Sequence, residues 1–167
     1  MAYADELLEL AQHLANLDST NPRQACLRRA VSTAYYALFH LLISEATLNW
    51  GRPELRSELG RLFEHGRMKN ASVERRSALN AYFGKNPPSS QELVVSTHLR
   101  TVADRFIQAQ QKRNDADYDT GKEWTQTDVL TQIAAVSAAF ESWKAIRDEP
   151  AAQAYLVSLL SKRPRSE

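Results

Sequence analysis

Residues 28–40 have the sequence Arg-Arg-Ala-Val-Ser-Thr-Ala-Tyr-Tyr-Ala-Leu-Phe-His, in which apolar and aromatic side chains recur at helical spacing. At about 100° per residue, the apolar positions in and around this stretch fall in one broad sector and predict a face that packs in a core. This predicted core face comprises Leu27, Ala30, Val31, Ala34, Leu38, Leu41 and Leu42. A long helix over residues 22–49 is therefore predicted, with Asn21 as its cap and Pro22 at its first position.

A polar stripe follows the other side of this helix. Arg29, Ser32, Tyr36 and His40 recur at spacings of three, four and four residues, which places them on one side. One interpretation is that Tyr36 and His40 satisfy their polar atoms against a neighbouring helix while Arg29 lies in solvent. A second is a cleft or two-fold interface in which Arg29 meets a phosphate and His40, an imidazole with an ordinary pKa near 6.5, moves a proton. A third is subunit packing alone.

The rest of the chain has few residues that break helices. It contains 5 Gly and 6 Pro in 167 residues, and the spacing of apolar residues between them is helical nearly everywhere. We predict an all-α fold, an antiparallel up-and-down helical bundle with additional short helices. A single domain over residues 1–160 and a polar, flexible tail over residues 161–167 are expected. The predicted helices cover residues 2–17, 22–49, 53–63, 74–83, 90–113, 125–147 and 151–160.

Capping signals support two of these predicted boundaries. Ser89 or Ser90 can cap the helix over residues 90–113, because it follows a loop that Pro87 and Pro88 force. Thr125 is followed three residues later by Asp128, which is close to a capping-box arrangement. We expect the helices over residues 22–49 and 90–113 to pack antiparallel at the centre of the bundle, since both are long and carry broad apolar faces.

Charge and cysteine content limit the class of protein. Lys and Arg number 21 against 20 Asp and Glu, so the whole chain lacks the positive field that attracts nucleic acid without specificity. Any RNA contact must therefore be local. The lone Cys26 excludes an intrachain disulfide and permits a reducing compartment, so we expect a cytoplasmic protein.

The chain shows no sequence signal for a membrane. Its first residues include Asp5, Glu6 and Glu9 among leucines, unlike the basic region and apolar core of a signal peptide. The longest apolar stretch, residues 34–43, contains His40 and is too short to cross a bilayer. We expect no membrane partner.

A second polar segment interrupts the helical pattern before Thr120 and Gly121. Residues 113–119 have the sequence Arg-Asn-Asp-Ala-Asp-Tyr-Asp. The guanidinium of Arg113 can bind a phosphate bidentately, the phenol of Tyr118 is a poor base but can donate a hydrogen bond, and His40 is the candidate base. The alternative is structural, with Asp117 paired to Arg113 or to an arginine of the earlier helix while Tyr118 packs at the helix end.

The two segments together resemble the HEPN family of small helical-bundle domains. They are similar to small prokaryotic HEPN-like proteins with an Arg-x-x-Ala-Asp-Tyr pattern, here Arg113, Ala116, Asp117 and Tyr118, and a Ser-x-x-Tyr-Tyr-Ala-x-Phe-His pattern upstream, here residues 32–40. The family's ribonuclease signature is an arginine followed after four to six residues by a histidine. Tyr118 stands where that histidine would be expected.

The resemblance implies a homodimer that binds RNA or a nucleotide. It further implies metal-independent RNA cleavage in a toxin–antitoxin, defence or stress system, or instead a non-catalytic dimerisation or partner-binding module, for example for a nucleotidyltransferase. The candidate catalytic residues are Arg113, Tyr118 and His40. The candidate binding residues are Arg29, Ser32, Tyr36, Asn114 and Asp117.

We expect no metal and no cofactor. No phosphate-binding glycine loop is present, and the aspartates at 115, 117 and 119 fail as a calcium loop because Thr120 and Gln126 stand where glycine and glutamate are needed. The remaining histidines are scattered without metal-ligand spacing and are expected to be ordinary helix residues; these are His13, His65 and His98. Cys26, Trp124 and Trp143 are expected to serve packing.

Overall fold

The computed structural model describes residues 2–160, which form helices and no strand. The all-α prediction is confirmed for this part of the chain. The α-helices are α1 Tyr3–Asn16, α2 Gln24–Leu48, α3 Arg56–Gly60, α4 His65–Lys85, α5 Ser90–Tyr118, α6 Gln126–Ile146 and α7 Pro150–Ser158, with a 3-10 turn at Pro53–Leu55 between α2 and α3. The predicted tail over residues 161–167 lies outside the described residues.

Helices α2 and α5 pack antiparallel, as predicted. Ser32 of α2 contacts Asp117 of α5, and Tyr36, one turn later in α2, contacts Arg113, one turn earlier in α5. The two helices therefore run in opposite directions. The ring of Tyr35 in α2 also packs on that of Phe106 in α5, with 5.7 Å between the ring centroids. Side chains on both sides of α2 are buried, including Ser32, Thr33 and Ala37 outside the predicted core face, because α1, α5 and α6 all pack against this helix.

Bulky side chains at the centre fill the space between the helices. Trp124 and Trp143 are both buried, which confirms the expected packing role. Tyr155 of α7 is also buried, and its hydroxyl lies 2.8 Å from that of Ser72 in α4. The largest fully buried side chains are Trp143, Tyr35, Tyr155, Phe106, Phe140, Leu27, Leu38, Leu42, Met68, Leu99, Ile146 and Leu156.

Two capping predictions are confirmed and one is wrong. Ser89 and Glu92 form a capping box at the start of α5, and Thr125 and Asp128 form another at the start of α6. In contrast, α2 begins at Gln24, after an N-cap Arg23 with no side-chain cap bond, and neither Asn21 nor Pro22 is helical. The amide of Gln24 instead bonds to the backbone of Trp124, so a tertiary contact fixes this end.

The short-helix region also differs from the prediction. The helix predicted over residues 53–63 is a 3-10 turn followed by the five-residue α3. The helix predicted over residues 74–83 begins nine residues earlier, at His65. Its first half is polar and contains Gly66, which has low helix propensity. Burial of Met68, Ala71 and Ser72 stabilises the added turns through packing, a contribution that local propensity does not contain.

Helix α5 continues five residues past the predicted end at residue 113. It ends at Tyr118 with Asp119 as its C-cap, so residues 113–118 are helical rather than a break in the helix. Pairs four residues apart stabilise this polar end: Gln111 donates to Asp115 at 2.9 Å, and Arg113 pairs with Asp117. None of the helices within residues 2–160 is both long and apolar enough to cross a bilayer.

Candidate functional site

The side chain of Arg113 lies between α5 and α2 and contacts three polar groups. Nη2 donates to the hydroxyl of Tyr36 at 2.9 Å, and Nη1 donates to Oδ1 of Asn114 at 3.1 Å. Nε lies 2.9 Å from Oδ2 of Asp117. The Nε–H does not point at that carboxylate and makes no hydrogen bond, so the contact with Asp117 is an ion pair without a directed bond.

Asp117 links the two helices. Its Oδ2 pairs with Arg113 of its own helix, while Oδ1 accepts a hydrogen bond from the hydroxyl of Ser32 in α2. The expected structural pairing of Asp117 with Arg113 is therefore present. We call Ser32, Tyr36, Arg113, Asn114 and Asp117 the Arg113 cluster; it unites four of the five predicted binding residues with Arg113.

Two aromatic rings lie beside the guanidinium of Arg113. Its Cζ is 5.5 Å from the ring of Tyr36 and 5.8 Å from the ring of Tyr118, within the range of a cation–π contact. Only 17% of the Arg113 side chain is exposed. Burial acts to lower its pKa, but the contacts with Tyr36 and Asp117 outweigh burial, and the pKa of Arg113 is raised. This arginine is a permanent cation.

Tyr118 does not pack at the helix end as the structural alternative expected. It is 73% exposed and is the last residue of α5. Its described ring contact is with Arg113 of the same helix. Position 118 therefore carries an exposed phenol beside the cationic group.

His40 is half-buried on α2, one turn beyond Tyr36. It makes no hydrogen bond to a described residue and lies among aromatic rings, 5.0 Å from Tyr3 and 6.5 Å from Tyr36 between ring centroids. Burial lowers its pKa, so the imidazole is neutral at pH 7. Tyr36 contacts both His40 and Arg113, and no hydrogen bond joins His40 to Arg113 themselves.

A second histidine, His65, joins this group, although its place in the sequence predicts an ordinary helix residue. It is the first residue of α4. Its ring stacks on Phe39 with 4.2 Å between centroids, and its Nδ1 lies 2.5 Å from the hydroxyl of Tyr35. Burial lowers the pKa of His65, and so do the charge of Arg113 and the proximity of His40. His65 therefore lies within electrostatic reach of Arg113.

The sequence around His65 gives no sign that this residue contacts α2. His65 follows an irregular segment, and it meets α2 only because α4 packs beside that helix. His65 also lies beside the ring of Tyr36. The centroid of that ring is 5.8 Å from the centroid of His65 and 5.5 Å from the guanidinium carbon of Arg113. The two neutral imidazoles and one cation thus share a single tyrosine as neighbour.

The arginine of α2 that contacts α5 is Arg28, not Arg29. Arg28 donates to four backbone carbonyls, one in the last turn of α5 and three in the segment after it. These are the carbonyls of Ala116, Asp119, Thr120 and Lys122. Arg29 is exposed and has no described partner. A strict spacing of four residues from His40 through Tyr36 and Ser32 leads to Arg28 and would have identified it.

The charges around the Arg113 cluster are nearly balanced. Beside the ion pair of Arg113 with Asp117, Lys122 pairs with Asp115 at 2.8 Å. The side-chain hydrogen bond from Lys122 is the main cause that lowers the pKa of Asp115. An anionic ligand would therefore be recognised by directed donors rather than by a broad positive field.

The described residues contain no group of three or more His, Cys, Asp or Glu side chains arranged to hold a metal ion. Asp115 and Asp117 belong to a helix rather than to a loop, and both are paired with cations. No protein family, curated protein or solved structure with which the chain was compared matches it.

Proposed function

We propose that this protein is a HEPN-like helical-bundle protein that binds the phosphate of RNA or of a nucleotide at the Arg113 cluster. The observation that carries the proposal is the geometry of Arg113, a permanent cation that contacts the rings of Tyr36 and Tyr118. Two histidines of lowered pKa, His40 and His65, pack against the same Tyr36 ring. A guanidinium has five N–H groups. Nη1 and Nη2 each carry two, and one of each is used within the protein, which leaves an N–H on both nitrogens for a phosphate oxygen.

The same geometry supports metal-independent cleavage of RNA as the activity. Such cleavage needs a base for the 2′-hydroxyl, an acid for the leaving oxygen and a cation for the phosphoryl charge. Arg113 is the cation, and His40, neutral and without a hydrogen-bond partner among the described residues, is the candidate base. The exposed hydroxyl of Tyr118 is a candidate donor. The resemblance assigns such an enzyme to a toxin–antitoxin, defence or stress system.

One observation favours a second candidate function. Asp117 lies 2.9 Å from Arg113 and is itself held by Ser32, so the positive charge that a phosphate needs is already neutralised inside the protein. In that case the bundle is a non-catalytic dimerisation or partner-binding module, for example for a nucleotidyltransferase. In both proposals the protein acts as a cytoplasmic homodimer, in keeping with its lone cysteine and with the prevalence of two-fold dimers.

An RNA cleavage assay separates the two candidate functions. Purified parent protein and Arg113→Ala are incubated with mixed RNA in the presence of EDTA. The matched control is Arg100→Ala, which also removes a guanidinium from α5. Among the described residues, the guanidinium of Arg100 bonds only to Asn80. Cleavage by the parent and by the control but not by Arg113→Ala supports the nuclease. RNA binding by the parent without cleavage supports a non-catalytic RNA-binding protein, and neither binding nor cleavage by the parent supports the partner-binding module.

A further inference from the structure

We propose that His65 is a neutral hydrogen-bond donor to a phosphate oxygen held at Arg113, and that Tyr35 fixes the tautomer that makes it one. The inference rests on the proposed binding of a phosphate at the Arg113 cluster. It adds a binding residue from α4, an element that carries none of the residues predicted from the sequence. The chemical class of the ligand is a phosphate diester or monoester whose oxygen accepts from the imidazole Nε2–H.

The first step is the direction of the hydrogen bond between Tyr35 and His65. The Tyr35 side chain is fully buried, and its hydroxyl has one described partner, Nδ1 of His65 at 2.5 Å. If Nδ1–H were the donor, the phenol hydrogen would be buried without an acceptor, which is costly. Tyr35 therefore donates and Nδ1 accepts.

The second step follows from the chemistry of a neutral imidazole, in which one ring nitrogen accepts and the other carries the hydrogen. With Nδ1 as the acceptor, the hydrogen is on Nε2. Burial raises the pKa of the Tyr35 phenol, against the opposing charge of Arg113, so this phenol keeps its proton near neutral pH. His65 stays neutral because burial and then Arg113 lower its pKa.

The third step is the position of the free nitrogen. Nε2 of His65 has no hydrogen-bond partner among the described residues and is not fully buried, so the nitrogen is open to solvent and to a ligand that approaches it. Stacking on Phe39 fixes the plane of the ring. The titratable groups that face this ring are Tyr35, Tyr36 and His40 from α2 and Arg113 from α5, and none of these is a carboxylate that would accept from the Nε2–H.

A neutral donor suits a site with one cation. An imidazolium beside Arg113 would add like-charge repulsion in the empty protein, whereas a fixed neutral N–H costs none and still bonds an oxyanion. Arg113 of α5 and His65 of α4 both neighbour the ring of Tyr36, and the charge of Arg113 acts on His65. On this proposal a phosphate bound at Arg113 also accepts a hydrogen bond from α4.

The tautomer is tested first, by long-range proton–nitrogen NMR on the protein labelled with ¹⁵N. We expect nitrogen shifts of the Nε2–H form for His65 near neutral pH in the parent. Tyr35→Phe removes the donor to Nδ1, so the pKa of His65 should rise in that variant. A parent spectrum of the Nδ1–H form, or of an imidazolium at neutral pH, overturns the proposal.

The ligand contact is tested with a short single-stranded RNA of mixed sequence as the probe. His65→Ala should weaken binding about fivefold, the loss expected for one hydrogen bond, and His65→Gln, whose amide can replace the Nε2–H, should recover part of it. The exposed His13→Ala in α1 is the control. Equal affinity of the parent and His65→Ala overturns the role of His65 when Arg113→Ala still loses binding, whereas loss in neither variant overturns the proposed function as well.

Discussion

Arg113 and Asp117 lie one turn apart on α5, with 2.9 Å between Nε and Oδ2, and both face α2. The residue best suited to bind phosphate is therefore paired with a carboxylate from its own helix. Because 27% of Asp117 and 17% of Arg113 are exposed, water screens the pair only partly. If Arg113 binds an anion as proposed, Asp117 limits how strongly Arg113 attracts it.

Replacing this carboxylate should strengthen anion binding. Asp117→Asn removes the charge but keeps an oxygen that can accept from Ser32, so the contact between α2 and α5 is retained. We expect the affinity for single-stranded RNA, measured by fluorescence anisotropy, to rise about threefold to tenfold. Asp104→Asn, which breaks the pair of Asp104 with Arg76, is the matched control. Unchanged or weaker RNA binding by Asp117→Asn would show that Asp117 does not oppose the ligand.

Adjacent arginines on α2 should differ in their effect on stability. Arg28 donates to four backbone carbonyls at the end of α5 and in the loop after it, so Arg28→Ala should lower the free energy of unfolding by about 2 kcal/mol. Arg29 is exposed without a described partner, and Arg29→Ala should change it by less than about 0.5 kcal/mol. Urea denaturation measures both. Equal losses in the two variants would contradict the assigned role of Arg28.

The helix starts that could be predicted are those fixed by local hydrogen bonds. The boundaries of α5 and α6 at their first residues follow from capping boxes, in which Ser89 and Thr125 bond to residues three positions later. The start of α2 could not be predicted, since Gln24 is held by the backbone of Trp124, a hundred residues away. The first half of α4 was missed for the same reason, because burial against other helices stabilises it.

The residues of the candidate site that could be predicted from the sequence all lie on α2 or α5. Tyr36, Ser32 and Arg113 lie at helical spacings that sequence analysis can follow, and the expected pairing of Arg113 with Asp117 is present. His65 could not be found, since it contacts Tyr35 through the packing of α4 on α2. The roles of these residues in binding stay predictions.

The two half-buried histidines should make stability depend on pH. The pKa of His40 and that of His65 are lowered from 6.5 in the native protein, for both chiefly by burial. The unfolded chain therefore binds protons at a higher pH than the native state, so unfolding becomes easier as the pH falls from about 6.5. Stability should be constant above that pH as far as these groups are concerned.

Urea denaturation between pH 7.5 and about pH 5 measures this effect. This pH range lies above the ordinary pKa of the carboxyl groups of Glu92, Asp115 and Asp128. The pKa of each of these groups is lowered in the native protein, so they affect stability only in more acid solution. A variant with both His40→Gln and His65→Gln should lose most of the pH dependence in this range, while His13→Gln should keep it. An equally steep dependence in the double variant would contradict the assignment.

The proposed homodimer is tested by sedimentation equilibrium. A single chain has a mass of 18.9 kDa, and we expect twice that mass at micromolar concentrations, because closed two-fold contacts are the commonest assembly of identical chains. A constant monomer mass over that range would refute the dimer. RNA binding by such a monomer would further show that one chain is sufficient for the site.

The most direct test of a phosphate site at Arg113 compares RNA affinity with stability in Arg113→Ala. If Arg113 binds phosphate, the variant should lose at least about tenfold in affinity for single-stranded RNA, as expected when charge-assisted hydrogen bonds to a ligand are removed. The Arg100→Ala control should stay within about twofold of the parent in RNA affinity. The melting temperature of Arg113→Ala should fall to some extent, because the bond to Tyr36 and the pair with Asp117 are lost, so RNA affinity is measured well below the melting temperature. A marked fall in its melting temperature together with unchanged RNA affinity would show that Arg113 only holds α5 to α2.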